Sequence, residues 1–127
     1  MTASTLLVLV AEDSEDLREA YIDWFVYKGV RAEQASSGPE TLQKALDLRP
    51  SVVVMDLSLP GLDGFEVARR LRLDERTAHV PLIALTGHAD ADIEDRARAC
   101  GFAAYLLKPC LPERLLAEVR RLAVPQL

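Results

Sequence analysis

The chain has 127 residues, of which 50% are apolar and 28% are charged, and its formal net charge is −5. This length fits one domain with a full hydrophobic core, and the composition is too apolar for a disordered protein. The negative charge argues against a general nucleic-acid-binding surface, because phosphate backbones are bound by clustered Lys and Arg. We therefore expect a single domain over residues 1–127 that does not bind nucleic acid directly.

Neither the cysteines nor the apolar runs indicate a secreted or membrane protein. The two cysteines, Cys100 and Cys110, lack CxxC or metal-ligand spacing, which favours reduced thiols. No run approaches the roughly 18 apolar residues that a membrane span needs. The N-terminal stretch MTASTLLVLVAED has no basic region or cleavage site, so it predicts a strand and no signal peptide. We expect a cytoplasmic protein.

Short apolar runs alternate with segments of helical periodicity along the chain. The predicted strands lie at residues 6–11, 30–35, 52–55, 81–85 and 103–107. The first helix is predicted over residues 14–28, where one face carries Leu17, Tyr21, Trp24 and Phe25. The later helices are predicted to open at Ser37-Gly38-Pro39 (ending at Pro50), at Asp63-Gly64, at about residue 90 (ending at Gly101) and near Pro112.

This alternation predicts a (βα)5 fold of the α/β class, with a doubly wound parallel five-stranded sheet. Strands that alternate with helices of this length are joined by right-handed crossovers, and helices cover both faces of the sheet. Four strands are almost continuously apolar, as strands covered on both faces should be. The run at residues 30–35 is interrupted by polar side chains, so we place it at an edge.

Polar side chains stand where four of the predicted strands end. The first strand is followed by Glu12 and Asp13, the third by Asp56, the fourth by Thr86, and the fifth by Lys108 and Pro109. The carboxyl ends of parallel strands share one edge of the sheet, and open α/β folds bind ligands there. We therefore expect these side chains to meet in one crevice.

The types of these residues indicate phosphate chemistry. Three carboxylates repel one another unless a cation joins them, and oxygen ligands without His or thiolate suit Mg²⁺. Lys108 would supply a fixed positive charge, and the Thr86 hydroxyl could bond a phosphate oxygen. A carboxylate is also a competent phosphoryl acceptor, giving an aspartyl phosphate. The residues alone predict a Mg²⁺-assisted phosphoacceptor site.

These positions, together with the stretch MDLSLPGLDG at residues 55–64, resemble the response-regulator receiver domain of two-component signalling. The resemblance runs from the first strand to the fifth helix. It implies a flavodoxin-like sheet with strand order 2-1-3-4-5. It also implies that Asp56 accepts a phosphoryl group from the phosphohistidine of a histidine kinase or histidine phosphotransfer protein. Such a domain promotes its own phosphorylation and dephosphorylation and is not otherwise an enzyme.

The resemblance assigns further roles. Mg²⁺ would bind Asp13, Asp56 and the main-chain carbonyl of Ser58, with Glu12 acting through water. A cis bond before Pro109 would aim Lys108 into the site. Thr86 would move toward the phosphoryl group and Tyr105 would turn inward. The fourth helix, fifth strand and fifth helix would then present a changed face to a downstream protein partner.

Several alternatives stay open from the sequence. The domain could be freestanding, with no output domain, or excised from a larger regulator or hybrid kinase. An aspartate-nucleophile phosphatase usually has a second acid two residues after the nucleophile, where this chain has Ser58. A pseudo-receiver that never takes phosphate usually lacks the acceptor, the lysine or the acidic pair, and all are present here. Ser58 and His88, the latter expected in an exposed loop, stand at positions that tune the lifetime of the phosphate in the family, so that lifetime stays open here.

Overall fold

A computed structural model describes residues 6–123 and contains five strands and five helices in alternation. The strands are β1 Leu7–Ala11, β2 Arg31–Ala35, β3 Val52–Asp56, β4 Leu82–Thr86 and β5 Ala104–Leu107. The helices are α1 Glu15–Tyr27, α2 Gly38–Leu48, α3 Gly64–Leu73, α4 Ala91–Ala99 and α5 Pro112–Leu122. The predicted (βα)5 alternation is confirmed. The expectation of no signal peptide falls partly on residues 1–5, which lie outside the described residues.

The strands form one sheet in the order β2-β1-β3-β4-β5, and every neighbouring pair is parallel. Both the predicted order and the flavodoxin-like topology are confirmed. The register pairs Ala11 of β1 with Met55 of β3, and Thr86 of β4 with Leu107 of β5. The residues that follow these strands therefore leave the sheet at a similar level, along its carboxyl edge.

Alternate side chains of the central strands pack into two separate cores, one on each face of the sheet. One core lies under α1 and α5 and contains Val8, Val10, Val52, Val54, Ile83 and Leu85. The other lies under α2, α3 and α4 and contains Leu9, Val53, Met55, Leu82 and Ala84. Of the predicted apolar face of α1, Tyr21 and Phe25 are fully buried and stack on each other, whereas Leu17 and Trp24 are only partly buried.

The two edge strands differ in how well the sequence predicted them. β2 lies at one edge, as its polar residues predicted. β5 lies at the other edge, where the strand order implied by the resemblance places it, but it is covered less completely than its apolar residues suggest, since Leu107 is 45% exposed. A strand with a neighbour on one side only is covered less completely, and the apolar composition of β5 does not reveal this position.

Local capping residues bound the helices, and two of them, Asp63 and Gly101, stand at predicted helix ends. Ser14 precedes α1 and its hydroxyl accepts a hydrogen bond from the amide of Leu17, while the carboxylate of Asp63 accepts one from the amide of Glu66. Gly101 follows α4 with a φ of +97°, a backbone conformation that favours glycine. Within the described part of the chain, none of the helices combines the length and apolarity needed to cross a bilayer.

Candidate functional site

Three carboxylates meet at the carboxyl edge of the sheet. Glu12 and Asp13 follow β1, and Asp56 ends the adjacent strand β3. Each offers one oxygen, and these oxygens all lie within 4.8 Å of one another. Glu12 is 1% exposed and Asp56 is 6% exposed, whereas Asp13 is open to solvent. The structure thus brings together the three acids that the sequence placed in one crevice.

Lys108 reaches these acids from the edge strand. Its Nζ donates to Glu12 Oε1 at 2.6 Å and to Asp56 Oδ2 at 2.7 Å. Its main-chain amide donates to the carbonyl of Thr86 at 2.7 Å, which fixes the start of the segment after β5. The Lys108–Pro109 peptide bond is cis, as the resemblance implied. One ammonium therefore links the acid after β1 with the acid that ends β3.

Burial and ion pairing have opposite effects on the pKa values of the charged groups in this cluster. Burial raises the pKa of Glu12, and this effect exceeds the opposite effect of its bond from Lys108. Burial alone would lower the pKa of Lys108, but its bonds to Asp56 and Glu12 outweigh this and raise the pKa. Three carboxylates face one ammonium, which gives a formal excess of two negative charges. The site is therefore suited to a further cation.

The main chain around Asp56 holds its carboxylate in place. Oδ1 accepts a hydrogen bond from the amide of Ser58 at 2.8 Å, so each carboxylate oxygen of Asp56 has a donor. Gly64 begins α3 against this segment, and a Cβ at that position would lie 2.9 Å from the Cα of Leu57 and 3.1 Å from the carbonyl oxygen of Asp56. The close approach of α3 to the end of β3 therefore requires glycine at position 64.

Thr86 and Tyr105, the two predicted switch residues, both form hydrogen bonds with the main chain of His88. Thr86 is buried at the end of β4, and its hydroxyl accepts a hydrogen bond from the amide of His88 at 3.2 Å. The hydroxyl of Tyr105, a half-buried residue of β5, donates to the carbonyl of His88 at 2.7 Å. The side chains of His88 and Ser58 lie in exposed loops. The loop after β4 is thus tied to both Thr86 and Tyr105.

Two contacts at this edge were not predicted from the sequence. Arg18 Nη1 donates to the carbonyl of Glu12 at 2.8 Å, and the hydroxyl of Tyr21 donates to the carbonyl of Cys110 at 2.7 Å. Arg18 has no predicted role, and Tyr21 is predicted only as part of the apolar face of the first helix. Both acceptors are main-chain carbonyls, which every residue possesses, so no residue pattern indicates these bonds.

The donor set fits a magnesium ion. The oxygens of Glu12, Asp13 and Asp56 are hard ligands, and no histidine or thiolate belongs to the cluster. Asp13 is the most accessible of the three acids, and an ion that keeps several waters can approach from its side. The same donors provide no tetrahedral nitrogen–sulfur set of the kind that zinc prefers.

Comparison with known proteins agrees with this geometry. Residues 8–120 match the family described as "Response regulator receiver domain". The polar-differentiation response regulator DivK of Brucella ovis is 33% identical over 116 residues, which cover 91% of this chain and 94% of DivK. The chemotaxis response regulator CheY4 of Vibrio cholerae superposes with a TM-score of 0.87 at 29% identity, covering 92% of this chain and 98% of CheY4.

A third similar protein carries the expected ion. The receiver domain of the sensor histidine kinase PA1611 from Pseudomonas aeruginosa PAO1 was solved with a magnesium ion coordinated in its active site cleft. It superposes with a TM-score of 0.81 at 28% identity, and the match covers 93% of this chain and 97% of that domain. With the family match over residues 8–120, the (βα)5 sheet and the acidic cluster at its carboxyl edge, the chain belongs to the response-regulator receiver domains of two-component signalling.

Proposed function

We propose that this protein is a phosphoacceptor module in which Asp56 takes a phosphoryl group from the phosphohistidine of a histidine kinase or histidine phosphotransfer protein. The observation that carries the proposal is the double hydrogen bond of Lys108 to Asp56 and Glu12, beside the exposed acid Asp13. Receiver domains of histidine kinases are among the similar solved structures, which supports a histidine-based donor.

The transfer exchanges one bond to phosphorus for another. A carboxylate oxygen of Asp56 attacks the phosphorus, the bond from phosphorus to the donor imidazole nitrogen breaks, and its electron pair stays on that nitrogen. An acyl phosphate remains on Asp56. The ammonium of Lys108 is already within bonding distance of the Asp56 carboxylate, so it can stabilise the negative charge carried by the phosphoryl oxygens without moving far.

Asp13, Asp56 and the main-chain carbonyl of Ser58 would hold a Mg²⁺ ion, with Glu12 contributing through water. When bound, Mg²⁺ neutralises charge on the phosphoryl oxygens. The formal excess of negative charge in the cluster and its all-oxygen donor set support this assignment. The amide of Ser58 bonds Asp56 Oδ1, which orients this segment beside the acceptor.

Phosphorylation would be relayed through the backbone of His88. The Thr86 hydroxyl now accepts a hydrogen bond from the His88 amide. A phosphoryl group on Asp56 would give this hydroxyl a charged acceptor to which it can donate its own proton. Tyr105 can then exchange its bond to the His88 carbonyl for a position turned inward. These changes would alter the face formed by α4, β5 and α5, where Leu107 and Leu111 are exposed to a protein partner.

The proposal extends to the whole sequence and its location. We infer that residues 1–127 form one receiver domain that acts in the cytoplasm by protein contact. The single sheet of the described residues, covered on both faces, supports one domain.

Labelling with acetyl phosphate tests the proposal without requiring the natural kinase. In the presence of Mg²⁺, intact-mass and peptide mass spectrometry should show one phosphoryl group on Asp56, and Asp56→Asn should abolish it. Asp95→Asn, which changes an exposed acid on α4, serves as the matched control and should be labelled normally. EDTA should suppress labelling. Labelling that persists in Asp56→Asn would remove the proposal, and steady turnover of a generic phosphate ester would favour a phosphatase instead.

A further inference from the structure

Two side chains on α1 reach the two loops that carry the charged residues of the site. Arg18 and Tyr21 are three residues apart, so they lie on neighbouring positions of the helix surface. Arg18 contacts the loop that holds Glu12 and Asp13, and Tyr21 contacts the loop after Lys108. One helix thus touches both sides of the candidate site without supplying any of its charged groups.

The peptide between Glu12 and Asp13 is fixed by Arg18. Its guanidinium joins the Glu12 carbonyl to the side-chain oxygen of Gln34 in β2, with both distances at 2.8 Å. The amide of Glu12 donates to the carbonyl of Ala35 at 3.0 Å, so the main chain of Glu12 is bonded on both sides. The Asp13 side chain is exposed, and its direction therefore depends on the orientation of this peptide.

The loop after Lys108 is fixed by Tyr21. The side chain of Tyr21 is fully buried, and its hydroxyl donates to the carbonyl of Cys110, two residues beyond Lys108. On the other side of Lys108, its amide is bonded to the carbonyl of Thr86. Burial raises the pKa of Tyr21 to about 12, so the phenol keeps its proton and remains a donor at neutral pH.

We propose that Arg18 and Tyr21 are positioning residues for phosphorylation, with Arg18 orienting Asp13 toward the divalent cation and Tyr21 holding the Lys108 loop beside Asp56. The inference rests on the proposed function of the site. The two residues act on different components, so their loss should have different effects. Loss of Arg18 should weaken cation binding, and loss of Tyr21 should slow transfer even when the cation is saturating.

The experiment compares Arg18→Met and Tyr21→Phe with matched controls. Arg31→Met and Tyr27→Phe remove the same groups at exposed positions. Three quantities are measured for each protein: the Kd for Mg²⁺ by calorimetry without a phosphodonor, the labelling rate with acetyl phosphate at saturating Mg²⁺, and the urea midpoint of unfolding. The first and third quantities do not depend on phosphorylation activity.

The expected pattern separates the two roles. Arg18→Met should raise the Kd for Mg²⁺ by about 3- to 10-fold, and Tyr21→Phe should lower the labelling rate at saturating Mg²⁺ by about 3- to 10-fold. Each is the effect expected when one hydrogen bond to a loop of the site is lost, to the Glu12 carbonyl for Arg18 and to the Cys110 carbonyl for Tyr21. Arg18→Lys should recover only part of the affinity, because a lysine ammonium lacks the fixed planar fork with which the guanidinium bonds the Glu12 carbonyl and Gln34. The controls should match the wild type.

The inference is overturned if both variants match their controls in Kd and rate and differ only in the urea midpoint, because the contacts would then be merely structural. Wild-type affinity in Arg18→Lys would overturn the role of Arg18, since charge alone would then suffice. A wild-type protein that neither binds Mg²⁺ nor is labelled would instead overturn the proposed function, and the inference with it. The two failures are therefore distinguishable.

Discussion

Replacing Lys108 with Met should destabilise the fold as well as impair phosphorylation. The substitution removes the ammonium that bonds Glu12 and Asp56, two carboxylates that are 1% and 6% exposed. The two acids would then face each other without a bonded cation, and desolvation of their charges would no longer be offset. The methionine side chain retains most of the apolar packing, so the change tests the charge specifically.

The expected cost follows from the burial of the three groups. Breaking a buried ion pair by removing one partner costs about 3–5 kcal/mol. The Lys108 side chain is 22% exposed, so water can partly replace it, and we expect a loss of about 3 kcal/mol in the free energy of unfolding. The pair of Lys44 and Glu40 provides a control, since its groups lie 3.3 Å apart with side chains 32% and 39% exposed. Lys44→Met should cost less than about 1 kcal/mol.

The assay is equilibrium unfolding in urea with EDTA, followed by circular dichroism and the fluorescence of the single tryptophan, Trp24. Lys108→Met should cost less in an Asp56→Asn background, by at least about 1 kcal/mol, because one of the two charges is then absent. The reasoning is refuted if Lys108→Met is no more costly than Lys44→Met, or if its cost is equal in both backgrounds.

Further predictions concern the scaffold and are checked by urea unfolding unless stated. Arg72 donates to four main-chain carbonyls, so Arg72→Met should lower the free energy of unfolding by about 2–3 kcal/mol. Arg70→Met, at an exposed position, should lower it by under about 0.5 kcal/mol. Equal costs of the two substitutions would contradict this prediction. A Cβ on Gly38 would lie 1.9 Å from a backbone oxygen, whereas one on Gly87 would meet nothing within 4 Å. Gly38→Ala should therefore cost over about 2 kcal/mol and Gly87→Ala under about 0.5 kcal/mol, and the reverse order would be inconsistent with this packing. Tyr21→Phe should remove an ultraviolet ionisation step with a midpoint of about 12, because burial raises the pKa of this phenol. The stability that the neutral phenol contributes is complete below about pH 10 and is lost as pH rises through its folded pKa. Loss of a step near the unperturbed value instead would show that Tyr21 is solvated.

Most of the fold could be predicted because its signals are local. Most strands are short runs of apolar residues, and predicted helix ends were marked by a cap, a proline or a glycine, such as Asp63 before α3 and Gly101 after α4. Parallel strands also leave their following residues at one edge, so Glu12, Asp56 and Lys108 could be expected together before any distance was known. The structure brings them together within hydrogen-bond reach.

The features that escaped prediction depend on neighbours distant in the chain. β5 is as apolar as the central strands, yet Leu107 is exposed because β5 has a strand on one side only. The bond between Tyr21 and Cys110 joins residues 89 positions apart through a main-chain carbonyl. Neither the exposure of Leu107 nor a bond to a main-chain carbonyl leaves a mark on residue type, so composition and spacing cannot reveal them.

The distribution of hydrogen bonds around Asp56 suggests why an acid can be both buried and reactive. Its two oxygens are bonded by the amide of Ser58 and by Lys108, donors that belong to loops and not to the sheet. The proposed phosphoryl group on this carboxylate would compete with these two donors, whereas the backbone pairing of β3 with β4 does not involve the carboxylate. In the proposed reaction, the sheet would fix the position of the acceptor and the loops would accommodate the change in charge. The Thr86 carbonyl accepts from the amide of Lys108 and the Thr86 hydroxyl accepts from the amide of His88, so a displacement of either loop would be felt by the other through this one residue.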